Sequence, residues 1–128
     1  MQNKIFAPGS VVIATYNKFD GSEAEGLFVV LADEALDARN NMRDNVTVCK
    51  VTSTFDMLSN NYCVPLNDSN NDFFDKPSMA VCSKVQTLSK SNQIKGCLGV
   101  LHSFTLRNVY KTWRKFEIEI DRQLENYI

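Results

Sequence analysis

The chain has no apolar run near the ~18–20 residues that a membrane-spanning helix needs. Its first fifteen residues show no basic start followed by an apolar block, so no secretory export is expected. Of the four cysteines (Cys49, Cys63, Cys82 and Cys97), no two form a Cys-x-x-Cys pair. The single histidine, His102, is near Cys97 alone. A zinc site needs about four ligands in usable geometry, so no metal is expected. The thiols read as free structural cysteines of a reducing cytoplasm. Asn67 to Lys76 is rich in Asn and Asp but lacks the Gly and terminal Glu of a calcium loop, and reads as a plain connection. Internal repeats and low-complexity segments are also missing.

What is present is enough for one folded domain over residues 1–128. The sequence is 44% apolar and 23% charged, a balance that supports a sizeable core and argues against disorder. The net charge of −1 hides an asymmetry. Residues 1–80 hold 6 basic against 11 acidic residues, and residues 81–128 hold 8 against 4. Between 81 and 116 stand Lys84, Lys90, Lys95, Arg107, Lys111, Arg114 and Lys115 with no acid among them. Such a stretch can attract a phosphate backbone or an acidic protein tail, or can be a solvated helix face balanced by the acidic half.

Short β-branched runs mark the strands: Val11–Tyr16, Leu27–Leu31, Val46–Thr52, Tyr62–Leu66 and Ser78–Cys82. A sixth strand is expected at Gln86–Leu88 or at Gly96–Gly99. Residues 32–44 carry helix formers and then Asn, predicting a helical turn and a loop. From Ser103, the expected N-cap, the period changes. Leu106, Val109, Tyr110, Trp113, Phe116, Ile120, Leu124 and Tyr127 recur at helical spacing, predicting one amphipathic C-terminal helix that closes a barrel mouth or packs on the sheet. The expected fold is therefore mostly β with a C-terminal helix, a small antiparallel barrel whose closure removes exposed strand edges.

Four landmarks carry a resemblance that spans most of the chain. They are Gly9-Ser-Val-Val; the loop Gly21-Ser-Glu-Ala-Glu-Gly26; the strand Val46-Thr-Val-Cys-Lys-Val-Thr-Ser53, with Tyr62-Cys-Val-Pro-Leu66 downstream; and Lys76-Pro-Ser-Met-Ala-Val-Cys-Ser-Lys-Val-Gln-Thr-Leu88. In order and spacing they resemble the PemK/MazF toxins of type II toxin–antitoxin systems. The loop matches that family's Gly-Ser-Glu-x-x-Gly, and the third landmark resembles its strand ending in Pro-Ile/Leu-Thr-Ser. The resemblance implies an SH3-like barrel that forms homodimers in the cytoplasm. It implies a sequence-specific endoribonuclease that cuts single-stranded RNA without a metal or other cofactor, restrained by an acidic antitoxin. In that chemistry the RNA's own 2′-OH attacks the adjacent phosphate, and the enzyme supplies proton transfer and charge stabilisation.

Carried over residue by residue, the family's strand-end hydroxyl falls on Thr52, with Ser53 beside it. Its arginine after the first loop falls on Phe28, and its Asp-Gln-x-Arg-Thr becomes Ser83-Lys84-Val85-Gln86-Thr87. The candidate catalytic set is thus Thr52, Ser53 and Lys84. Asn17, Lys18, Gln86, Thr87 and Lys90 are candidates for RNA contact. Three positions charged in the family are neutral here, and loss of one preorganised charge costs about 10²–10³-fold in rate. Two readings therefore stay open: a divergent endoribonuclease, or a catalytically impaired barrel that binds RNA, DNA or an acidic protein segment. A plain SH3-like peptide binder is a third, but the loops lack the compact aromatic cluster it would need.

Overall fold

The computed structural model describes residues 5–33, 44–53, 62–67 and 73–126. Six strands and one helix follow in order: β1 (Ser10–Asn17), β2 (Glu23–Asp33), β3 (Asn45–Thr52), β4 (Cys63–Pro65), β5 (Met79–Ser89), β6 (Ile94–Val100) and α1 (Ser103–Glu125). All pairings are antiparallel, and the sheet runs β4-β5-β3-β2-β1-β6.

The mostly-β class with one C-terminal helix holds. Closure of the sheet does not: β4 and β6 are its two edges, and no ladder joins them among the described residues. The centre of the sheet nevertheless buries both faces, which is why β2 from Leu27 to Leu31 reads as a continuous apolar run rather than an alternating one. Val11, Val29, Leu31, Cys49, Val51 and Cys82 form a core on one face with Val109, Leu106, Tyr110 and Trp113 of α1. The opposite face gathers Phe6, Val12, Ala14, Phe28, Val30, Val46, Val48 and Leu88, with Ile94 and Tyr16 against them. Among the described residues no helix residue belongs to this second core. Near the β6 edge, Phe73 lies where a side chain on Gly99 would stand, its ring 2.9 Å from a Cβ placed there.

Local chemistry explains the turns. Lys18 and Gly21 close a β-turn, with the Gly21 N–H donating to the Lys18 carbonyl at 2.9 Å, and Gly21 takes a positive φ of 88° that favours glycine. The Asp20 carboxylate accepts from both the N–H and the hydroxyl of Ser22, which completes the hairpin between β1 and β2.

Three sequence expectations change. Gln86–Leu88 is not a separate strand but the second half of β5, and the sixth strand is the Ile94–Val100 alternative. The N-cap is His102, whose Nδ1 accepts from the Phe104 N–H at 3.2 Å, one residue before the expected Ser103. Ala32 and Asp33 continue β2, and the remainder of the helical turn expected at 32–44 falls mostly outside the described residues.

The helix is longer than its footing. Thr105 and Val109 are its buried residues, and Tyr110 donates a hydrogen bond to the Leu31 carbonyl. Beyond Phe116 the apolar stripe runs into solvent, with Ile118 and Leu124 more than half exposed.

Candidate active site

The end of β3 opens into a cavity of about 400 Å³. Its lining comes from β2 (Glu25, Gly26, Leu27), from β3 and the residue after it (Lys50, Val51, Thr52, Ser53), from β6 (Leu98) and from the connection before β5 (Phe73 to Lys76, and Ser78). That connection is anchored to residues 66 and 67: the Leu66 N–H donates to the Ser78 carbonyl at 2.9 Å, and the Asn67 amide donates to the Lys76 carbonyl at 3.2 Å. The Asn67 side chain also accepts from the Ser78 N–H. The Phe73 and Phe74 rings lie 4.8 Å apart at 34°, giving the cavity one aromatic wall.

The expected catalytic residues part company. Thr52 and Ser53 both line the cavity. Lys84 does not. The β3–β5 register jumps from Lys50↔Val81 to Cys49↔Val85, so Cys82, Ser83 and Lys84 lie in a bulge of β5 and Lys84 stands exposed beside the site. Gln86 and Thr87 are exposed further along β5, opposite Val48 and Thr47. Asn17 and Lys18 sit at the exposed end of the first hairpin.

Lys90 has a different occupation. Its ammonium lies 3.1 Å from both carboxylate oxygens of the buried Asp33, which also accepts from the Phe6 N–H at 2.8 Å. This pair ties the β5–β6 turn to the end of β2, and Lys90 is not part of the cavity lining.

Phe28 is fully buried. It packs edge-on against Tyr16, with ring centroids 5.6 Å apart, and is the cross-strand partner of Lys50. The Lys50 ammonium rests 4.5 Å from the centre of the Tyr16 ring and 4.9 Å from that of Phe28. Gly26 makes this placement possible, because a Cβ there would collide with Lys50 Nζ and lie 3.1 Å from Tyr16 Cε1. Lys50 is half-buried, and burial together with the nearby charge of Lys84 holds its pKa below the ordinary lysine value.

Sequence reading passed over Lys50 although it stood within a landmark. The signal was there. Lys50 is the one charge in Val46–Thr52, in phase with the buried Val46 and Val48 and with Thr52. Phe73, Phe74, Asp75 and Lys76 were passed over for a different reason: only the fold brings the connection before β5 to the end of β3.

Among the described residues no cluster of three or more metal-ligating side chains occurs, and no helix is long and apolar enough to cross a membrane. The model of the family described as PemK-like, MazF-like toxin of type II toxin–antitoxin system matches residues 7–116. Among solved structures, the chain is similar to a mycobacterial endoribonuclease in complex with its cognate antitoxin (16% identity, covering 84% of this chain and 90% of that one, TM-score 0.64). It is also similar to the Mycobacterium tuberculosis toxin MazF-mt6 (20% identity, 84% and 94% covered, TM-score 0.63) and to a MazE–MazF structure from Deinococcus radiodurans (16% identity, 86% and 93% covered, TM-score 0.64). At these identities the likeness to the solved structures is one of fold. No curated protein matches the sequence significantly.

Proposed function

Because the chain belongs to the PemK-like, MazF-like toxins of type II toxin–antitoxin systems, we propose that it is an endoribonuclease cutting single-stranded RNA at the cavity beside β3. The observation that carries this reading is the meeting of Thr52 and Ser53 with a half-buried lysine in one open cavity with an aromatic wall. Hydroxyls can donate to phosphate oxygens, a cation can stabilise the charge that builds on phosphorus, and aromatic faces can stack on unpaired bases.

In the reaction O2′ of one nucleotide bonds to the adjacent phosphorus as the P–O5′ bond breaks. The proton leaving O2′ is balanced by the one gained at O5′, so the step yields a 2′,3′-cyclic phosphate and a 5′-hydroxyl with no co-reactant. Glu25 and Asp75 line the same cavity and are the carboxylates within it available for proton transfer. A cognate antitoxin with an acidic segment is the partner this reading implies. The endoribonuclease relative held with its antitoxin and the basic stretch from Lys84 to Lys115 support it. We extend the family's homodimer and cytoplasmic setting to this chain on the same basis.

The test is incubation of the purified protein with mixed single-stranded RNA in the presence of a chelator. Discrete fragments ending in 2′,3′-cyclic phosphate, absent with Thr52→Ala, are expected. Salt-sensitive RNA binding without any such fragments would replace the nuclease by the second reading, a binding module. That reading draws on Phe28, whose buried ring leaves this position of β2 without a charge.

A further inference from the structure

We infer that Lys50 is the phosphate-facing cation of this site, the positive charge lying on β3 directly across the ladder from the uncharged Phe28. The inference rests on the endoribonuclease reading for its substrate and on geometry for its residue. Three lysines stand at or near the cavity. Lys76 lines it but is exposed, and Lys84 is exposed and outside the lining. Either would lose rotamer freedom when held against a phosphate.

Lys50 has been ordered by folding. Its ammonium is seated over two rings of the second core, Tyr16 and Phe28, that are themselves packed edge to face. Gly26 leaves the room that the ammonium takes, since a Cβ there would collide with Lys50 Nζ. Among the described residues no carboxylate forms an ion pair with it. A half-buried ammonium with a second lysine nearby and no paired acid is electrostatically incomplete, and an anion entering the cavity completes it.

Alternation along β3 then sets the reach. Lys50 and Thr52 are two residues apart on one face, which is roughly 7 Å along a strand, so one phosphate can be approached by both side chains. The ammonium meets the non-bridging oxygens as negative charge grows on them, and the hydroxyls of Thr52 and Ser53, which line the same cavity, add donors.

The test compares wild type, Lys50→Met and Lys50→Arg on one single-stranded RNA by single-turnover cleavage, with thermal unfolding run alongside. Lys50→Met keeps the packed stem and removes the charge. A fall of about 10²–10³-fold in its rate, with Lys50→Arg recovering most of the activity, is the expected result. Cleavage by Lys50→Met at the wild-type rate, while Thr52→Ala is dead, overturns the role of Lys50 and leaves the nuclease standing. If wild type itself does not cleave, the nuclease reading falls and binding decides the matter. Lys50→Met should then lower the salt slope of single-stranded RNA binding by about 0.7, the value for one lost phosphate contact. An unchanged slope overturns the inference.

Discussion

Lys50 and Phe28 face one another across the β2–β3 ladder, and the lysine ammonium lies 4.9 Å from the centre of the phenylalanine ring. The pairing joins a charge to the end of an apolar core. It gives the cation a fixed seat at the cost of part of its hydration, and burial lowers its pKa as a result.

Gly26→Ala should separate folding from function. The added Cβ meets the far end of a flexible side chain, which can swing away, and otherwise approaches Tyr16 Cε1 at 3.1 Å. Thermal unfolding is expected to change by a few degrees at most, while RNA cleavage falls at least ~10-fold because the ammonium leaves its seat. Full activity in a well-folded Gly26→Ala protein would show that the position of Lys50 is unimportant.

The lowered pKa of Lys50 has a signed consequence for stability. Between the folded-state value and the ordinary 10.5, the unfolded chain binds more protons than the folded one, so this group raises stability as pH climbs through that window. Below the window the folded state carries the full penalty of a half-buried charge. Lys50→Met removes the penalty. The variant should match or exceed wild type in urea unfolding at neutral pH and lose the alkaline rise, whereas cleavage by wild type should decline on the alkaline side as the ammonium is lost. Tyr16, Phe28, Gly26 and Lys84 surround the group from β1, β2 and β5, and the carboxylates Glu25 and Asp75 line the same cavity.

Lys90→Met is expected to act through the fold rather than through RNA. It leaves the fully buried carboxylate of Asp33 without its ammonium. Losing one member of a buried pair costs about 3–5 kcal/mol. Chemical denaturation should show that loss directly. A variant of wild-type stability with weakened RNA binding would restore Lys90 to the RNA surface.

Thiol labelling should follow burial. Cys97 is exposed on β6 and should react with a maleimide first. Cys49 is buried, and its hydrogen bond with the Cys82 thiol together with burial pushes its pKa well up, so it should react only when the chain unfolds. Mass spectrometry of the native protein after brief labelling reads the order. Modification of Cys49 at the rate of Cys97 would mean that the core opens locally.

Strands and helix were legible because each rests on a local signal. Val11–Tyr16 and Val46–Thr52 differ from the observed β1 and β3 only at their ends, and the 3.6-residue spacing from Leu106 to Leu124 marks α1. Where polar residues interrupt a strand the reading faltered. Gln86–Leu88 carries strand character whether it begins a new strand or, past a bulge, extends β5, and only the pairing with β3 distinguishes the two.

The sequence by itself determined most of the elements, the family landmarks and the place of Thr52 and Ser53 at the end of a strand. The tertiary structure decided what surrounds the charges. Folding sets Lys90, a sequence candidate for RNA contact, against Asp33, 57 positions away, and β1 and β2 bring Tyr16, Gly26 and Phe28 around Lys50. Periodicity records which face of a strand a residue occupies, because that depends on its neighbours in the chain. A lysine's role depends on what lies within a few ångströms of its ammonium, and in this fold those neighbours come from other strands.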